Sequence, residues 1–153
     1  MNQPDTIMAQ VGHGIELGGR GDREAARELF ARLWEQVSEV GDPLHRCAIA
    51  HSMADVQDDP RDELAWDLRA LEAAESVTNE RAAAAGVVTP VASFFPSLHL
   101  NLGEAYRKLG DLGSARTHLR LGQDAARAFG DDGYARMIRG GLDGLAARLG
   151  EAG

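Results

Sequence analysis

An all-α fold built from repeated helix pairs is what this sequence predicts, and three features carry that expectation. Aromatic residues make up only 5% of the 153-residue chain while alanine is abundant, which suits closely packed helices better than sheets rich in β-branched and aromatic side chains. Apolar residues recur at helical spacing in several windows. One pattern of small and apolar residues also returns 89 residues further along, from Gly14 to Gly103. Internal recurrence of that kind is the mark of a repeat architecture.

The clearest window is Pro96 to Ala126. Leu98, Leu102, Ala105 and Leu109 fall on one face of a first helix, Gly110-Asp111 makes a turn, and Ala115, Leu119 and Ala126 point inward from a second helix. Gly103 lies inside the first helix, where glycine costs about 1 kcal/mol relative to alanine. A glycine kept there predicts close approach of a neighbouring helix. Leu102-Gly103, Tyr106, Gly110-Asp111, Ala115 and Leu119 stand in the order and spacing of the tetratricopeptide repeat, which this segment resembles. His99 takes the place of that motif's usual large aromatic residue and Gly122 that of a usual alanine.

A weaker copy runs through Gly14, Leu17, Gly21-Asp22, Ala26, Phe30 and Leu33, with His13 in place of the expected leucine. Between the two copies lies a third helix pair, about Pro43–Gln57 and Asp62–Asn79, joined by Asp58-Asp59-Pro60-Arg61. Its second helix is expected to turn Leu64, Leu68, Leu71 and Ala74 inward, with Trp66, Ala70 and Val77 alongside. Ile138, Leu142, Leu145 and Leu149 give Tyr134–Leu149 one apolar stripe, so it reads as a helix capping the last repeat. The resemblance implies one domain over residues 1–153: a right-handed α-solenoid with helix pairs about 7–40, 43–79 and 96–129, and a capping helix at 134–149. Residues 80–95 do not fit a repeat-to-repeat turn, and Pro90 interrupts any helix there. Val87, Val88, Val91, Phe94 and Phe95 make this insertion too apolar for a solvated linker. It is expected either to fold onto the stack, or to line the groove or form a homodimer contact.

Charge and cysteine content bound the function. The net charge of −8 argues against nucleic-acid binding, which relies on basic residues to neutralise phosphates. Residues 42–80 hold 10 acids and 3 bases, whereas residues 81–153 hold 7 acids and 9 bases. No run approaches the roughly 20 apolar residues of a membrane span, and the amino terminus has no signal-peptide pattern. The lone Cys47 fits a reducing compartment, so the cytoplasm is the expected location. Fifteen of sixteen basic residues are arginine, which points to coding DNA of high G+C content and a bacterial source.

No catalytic constellation stands out. Glycines 12, 14, 18, 19 and 21 imitate a phosphate loop without its preceding strand or its Gly-Lys-Ser/Thr. Ser52 and Ser97 lie outside any Gly-x-Ser-x-Gly. Arg20-Gly21-Asp22 is a repeat turn and not an adhesion signal. Cys47, His51 and Asp55, four residues apart, share one helix face. Cys47 and His51 form a minority metal reading, with Asp55 or His99 as a third ligand, and with the 80–95 insertion as a lid they suit a small-molecule- or metal-responsive regulator. More ordinarily, Cys47 is core and the other two are polar wall.

The resemblance implies a protein- or peptide-binding scaffold with no cofactor, because first helices line the concave face of such stacks. That places His51 and Asp55 of the second pair, and Leu100, Glu104, Arg107 and Lys108 of the third, in the groove. The family's carboxylate clamp is not expected: only Asn101 and Lys108 match it, while Val11 and Ile15 depart from it. The acidic turn Asp58-Asp59-Pro60-Arg61-Asp62-Glu63, with Arg107, Lys108, Arg116 and Arg120 one repeat later, suggests a ligand whose basic segment lies toward residues 55–63.

Overall fold

A computed structural model describes residues 6–37, 41–87 and 90–150. It is all-α: α1 (Thr6–Gly19), α2 (Arg23–Val37), α3 (Pro43–Asp55), α4 (Pro60–Ala74), α5 (Asn79–Ala84), a 3₁₀ turn (Val91–Ser93), α6 (Phe94–Lys108), α7 (Leu112–Ala126) and α8 (Gly133–Arg148). Among the described residues there is no strand, and no helix is long and apolar enough to cross a membrane. The protein divides into two compact units, residues 1–88 and 89–153. The division falls within the segment read as an insertion, so each unit is an architecture of its own. Val88, one of the apolar residues of that segment, lies outside the described residues.

Unit 1 contains two helix pairs, α1 with α2 and α3 with α4, and α3 also packs on both α1 and α2. Its nucleus comprises Val11, Ala26, Phe30, Leu33, Ile49, Met53 and Val56. Helix α3 is apolar on most of its circumference and buries Leu44, Cys47, Ile49, Ala50, Met53 and Ala54, as a helix flanked on several sides must. The Trp34 and Trp66 rings meet edge to face at 5.1 Å, with Arg46 over the first and Arg69 over the second.

Local chemistry sets the ends of these helices. Asp42 and Asp59 each accept a backbone N–H bond two residues on, ahead of Pro43 and Pro60. A carboxylate cap followed by proline at the first helical position starts a helix cleanly. That is why α4 begins at Pro60 and not at Asp62. It stops at Ala74, and Thr78 caps the separate helix α5 through the Arg81 N–H. The inward face of α4 keeps the expected Ala70 and Ala74 and differs from expectation in its leucines. Asp67, Ala70, Ala73 and Ala74 are buried, whereas Leu68 is 41% exposed and Leu64 and Leu71 are half-buried. Alanines let α4 lie close against α3, and that turns the leucines outward.

Unit 2 packs α6 against α7, with α8 on both. Ala115, Leu119, Ile138, Leu142, Leu145 and Leu149 form its core, so the expected stripe of the terminal helix is the one that is buried. Gly103 lies where elements meet: a β-carbon there would come within 2.5 Å of the Leu145 side chain and 3.4 Å of the Ala115 carbonyl oxygen. Helix α6 starts at Phe94, inside the expected insertion, with Pro96 in its first turn where a missing N–H costs nothing.

The two copies of Gly-Asp share one backbone solution. Gly21 has φ 93° and Gly110 φ 83°, the left-handed region that favours glycine. In each turn the aspartate N–H returns to a carbonyl five residues back, Leu17 in one and Tyr106 in the other, closing α1 and α6 with the same C-terminal motif.

Candidate functional site

The C-terminal ends of α1 and α3 meet the start of α2 in unit 1. Ile15, Gly18, Gly19, Arg23, Phe30, Ser52, Asp55 and Val56 line a depression of about 250 Å³ there. Apolar walls come from Ile15, which is 56% exposed, and from Phe30 and Val56. Gly18 and Gly19 leave one rim without side chains. Asp55 supplies a carboxylate, and burial pushes its pKa up while His51 and Arg23 pull it back. His51 is half-buried one turn earlier on α3. Of the two residues expected in a groove from the middle pair, Asp55 lines the mixed polar and apolar hollow that α1 and α3 share, and His51 is not one of its lining residues.

Two arginines of α2 fasten this region. Arg23 donates to the backbone oxygens of Asp55 (3.4 Å) and Gln57 (3.1 Å) and to the Asp58 carboxylate (3.1 Å). Arg27 donates to the Val56 carbonyl at 2.7 Å and to Asp58 at 3.3 Å. Carbonyls left over at the end of α3 are thus met by cations from the preceding helix, which is also the favourable sign for that end. Asp58 and Asp59, expected to attract a basic ligand, have structural roles within the unit: Asp58 matches Arg23 and Arg27, and Asp59 caps α4.

The residues expected from the third pair lie in unit 2. Leu100 is half-buried against α8, where its Cδ2 would lie 2.6 Å from a β-carbon at Gly141. Glu104 receives Arg107 at 3.1 Å and also pairs with Arg148 of α8. Lys108 is exposed. Leu100, Glu104 and Arg107 are therefore engaged in contacts within their own unit.

Cys47 is buried, and loss of solvation raises its pKa to about 11. That is the environment of a small core residue. Among the described residues, no group of three or more His, Cys, Asp or Glu side chains is placed to hold a metal ion.

One cluster escaped the sequence reading. His99 of α6 and His118 of α7 bring their Nδ1 atoms to 3.0 Å. Tyr106 stacks on His118 and Phe95 lies against His99. A hydrogen bond between two such nitrogens needs one as N–H donor and the other as bare acceptor, so the two rings cannot both be protonated while it persists. Burial lowers both pKa values, that of His99 to about 4 with help from its neighbour His118. His99 was legible as a substitute for an aromatic residue, but nothing in the spacing marked His118 as its partner.

No protein-family model matches the sequence, and no curated protein or solved structure shows a significant match to it. What this protein does is therefore argued from its own geometry.

Proposed function

We propose that this protein is a tetratricopeptide-like, non-enzymatic scaffold that binds a protein or peptide segment along the face shared by α1 and α3. The observation that carries the reading is the depression at the ends of these two helices, where the exposed Ile15, the buried Ser52 hydroxyl and the Asp55 carboxylate surround a hollow of about 250 Å³. Sites that orient a ligand combine apolar wall with a few placed polar groups in this way. The repeat assignment draws on the two Gly-Asp turns of equal geometry and on Gly14, whose ideal β-carbon would fall 2.4 Å from the Phe30 ring. The reading places the protein in a reducing cytoplasm, with neither nucleic acid nor membrane as partner. No specific observation favours the metal-responsive alternative over it.

Selection from a displayed peptide library on the immobilised protein tests the proposal. Enriched peptides should bind wild-type protein and lose at least tenfold in affinity to Ile15→Glu, which puts a charge on the apolar wall. A library that enriches nothing, or peptides indifferent to Ile15→Glu, would reject the α1/α3 face as a binding surface.

A further inference from the structure

We infer that the depression between the C-terminal ends of α1 and α3 is a subsite for one long cationic side chain, arginine or lysine, of the bound segment. This deepens the peptide-binding reading and rests on it. Size comes first. About 250 Å³ is below the roughly 300–1,000 Å³ of sites for drug-sized molecules, so the hollow suits a single side chain and not a cofactor.

Charge decides its sign. Two helix C-termini converge here, ending at Gly19 and Asp55, each equivalent to roughly half a negative charge. Neither helix has a basic residue in its last turn. The Asp55 and Asp58 carboxylates add two negative charges, against two positive charges on Arg23 and Arg27. Arg20, just beyond α1, is matched by Glu16 at 3.6 Å. The surplus is about one negative charge. Arg23 and Arg27 direct their hydrogen-bond donors to Asp58 and to the carbonyls of residues 55–57, and Asp55 is the carboxylate that lines the hollow, with His51 and Arg23 as its nearby favourable charges.

Shape agrees with charge. Arginine and lysine carry a polar head on an apolar stem. Ile15, Phe30 and Val56 offer apolar wall for the stem, and Asp55 and Ser52 offer acceptors for the head. A carboxylate ligand would meet repulsion instead, which separates this site from a clamp for the carboxyl-terminal ends of peptides.

The test uses the full-length protein and two small probes, N-acetyl-arginine amide and the neutral N-acetyl-norleucine amide. Backbone amide shifts of Gly18, Gly19, Ser52 and Val56 report occupancy. The arginine probe should shift these resonances saturably at millimolar concentration, and the norleucine probe should bind at least tenfold more weakly. Asp55→Asn, at an exposed position, should retain the helical circular dichroism and lose at least tenfold in affinity for the arginine probe. Equal response to both probes, no response to arginine, or undiminished binding by Asp55→Asn overturns the inference. The probes need no partner peptide. Library peptides that bind while the arginine probe does not reject the cationic subsite alone, and the converse rejects the peptide surface alone.

Discussion

Acidification below neutral pH should destabilise unit 2 through the His99–His118 pair. In the unfolded protein His99 titrates near 6.5, whereas in the folded unit its pKa is about 4. Between those values the unfolded state binds more protons, so stability is fully present above pH 6.5 and is lost as pH falls toward 4. His118 is shifted in the same direction and adds to the loss. A tenfold difference in proton affinity between the two states is worth at most about 1.36 kcal/mol, so the displacement of His99 would give about 2 kcal/mol at pH 5. The rings are half-exposed, so screening by solvent reduces this, and about 1 kcal/mol is the expected loss between pH 7.5 and 5. His99→Phe keeps a ring between Phe95 and His118 and removes one titrating group. Urea midpoints followed by circular dichroism at several pH values should show a shallower decline for this variant, while the fluorescence of Trp34 and Trp66 reports unit 1 separately. Parallel declines for wild type and variant across pH 5–7.5 would refute the reasoning.

Other consequences follow from single contacts. Gly103→Leu would drive a side chain into Leu145 and the Ala115 carbonyl and should cost about 1–3 kcal/mol; an unchanged melting temperature would remove the close approach on which unit 2 is built. Arg27→Ala deletes the donor to Val56 and Asp58 and should cost about 1.5 kcal/mol in urea titration, more than an ordinary exposed ion pair; a change within a few tenths would show the α3 end needs no such cap. Asp59→Asn should be nearly silent in stability, because asparagine also caps helices, whereas Asp59→Ala should cost about 1 kcal/mol; equal melting of the two would reject the capping role. Stoichiometric zinc should leave the melting temperature unchanged because Cys47 is a buried core residue and, among the described residues, no group of three ligands is placed to hold the ion; a rise that disappears in Cys47→Ala would restore the metal reading.

The parts of the fold legible in the sequence are those where one residue type has one structural use. Gly21 and Gly110 supply the positive φ that ends a helix, Gly103 leaves room for Leu145, and the leucines of α8 have a single core to enter. Legibility failed where several residues competed for one role. In α4 both leucines and alanines recur at helical spacing, and the choice between them depended on how closely α3 approaches, which periodicity does not encode. Residues 75–79 read as the tail of α4, because the stop at Ala74 rests on Thr78 serving as a new cap. The acidic turn showed its charge but not its partners, since Arg23 and Arg27 lie some thirty residues earlier. Leu100 and Glu104 could be assigned to a first helix, but their engagement by α8 is a tertiary fact.

The most direct test of the binding account is the footprint of an enriched peptide on the amide spectrum of the protein. The account predicts shifts concentrated at Val11, Ile15, Gly18, Ser52 and Asp55, along the adjoining α1 and α3, with little change at Arg32 of α2 or Arg69 of α4. A footprint centred on α2 or α4, with α1 and α3 unperturbed, would contradict it.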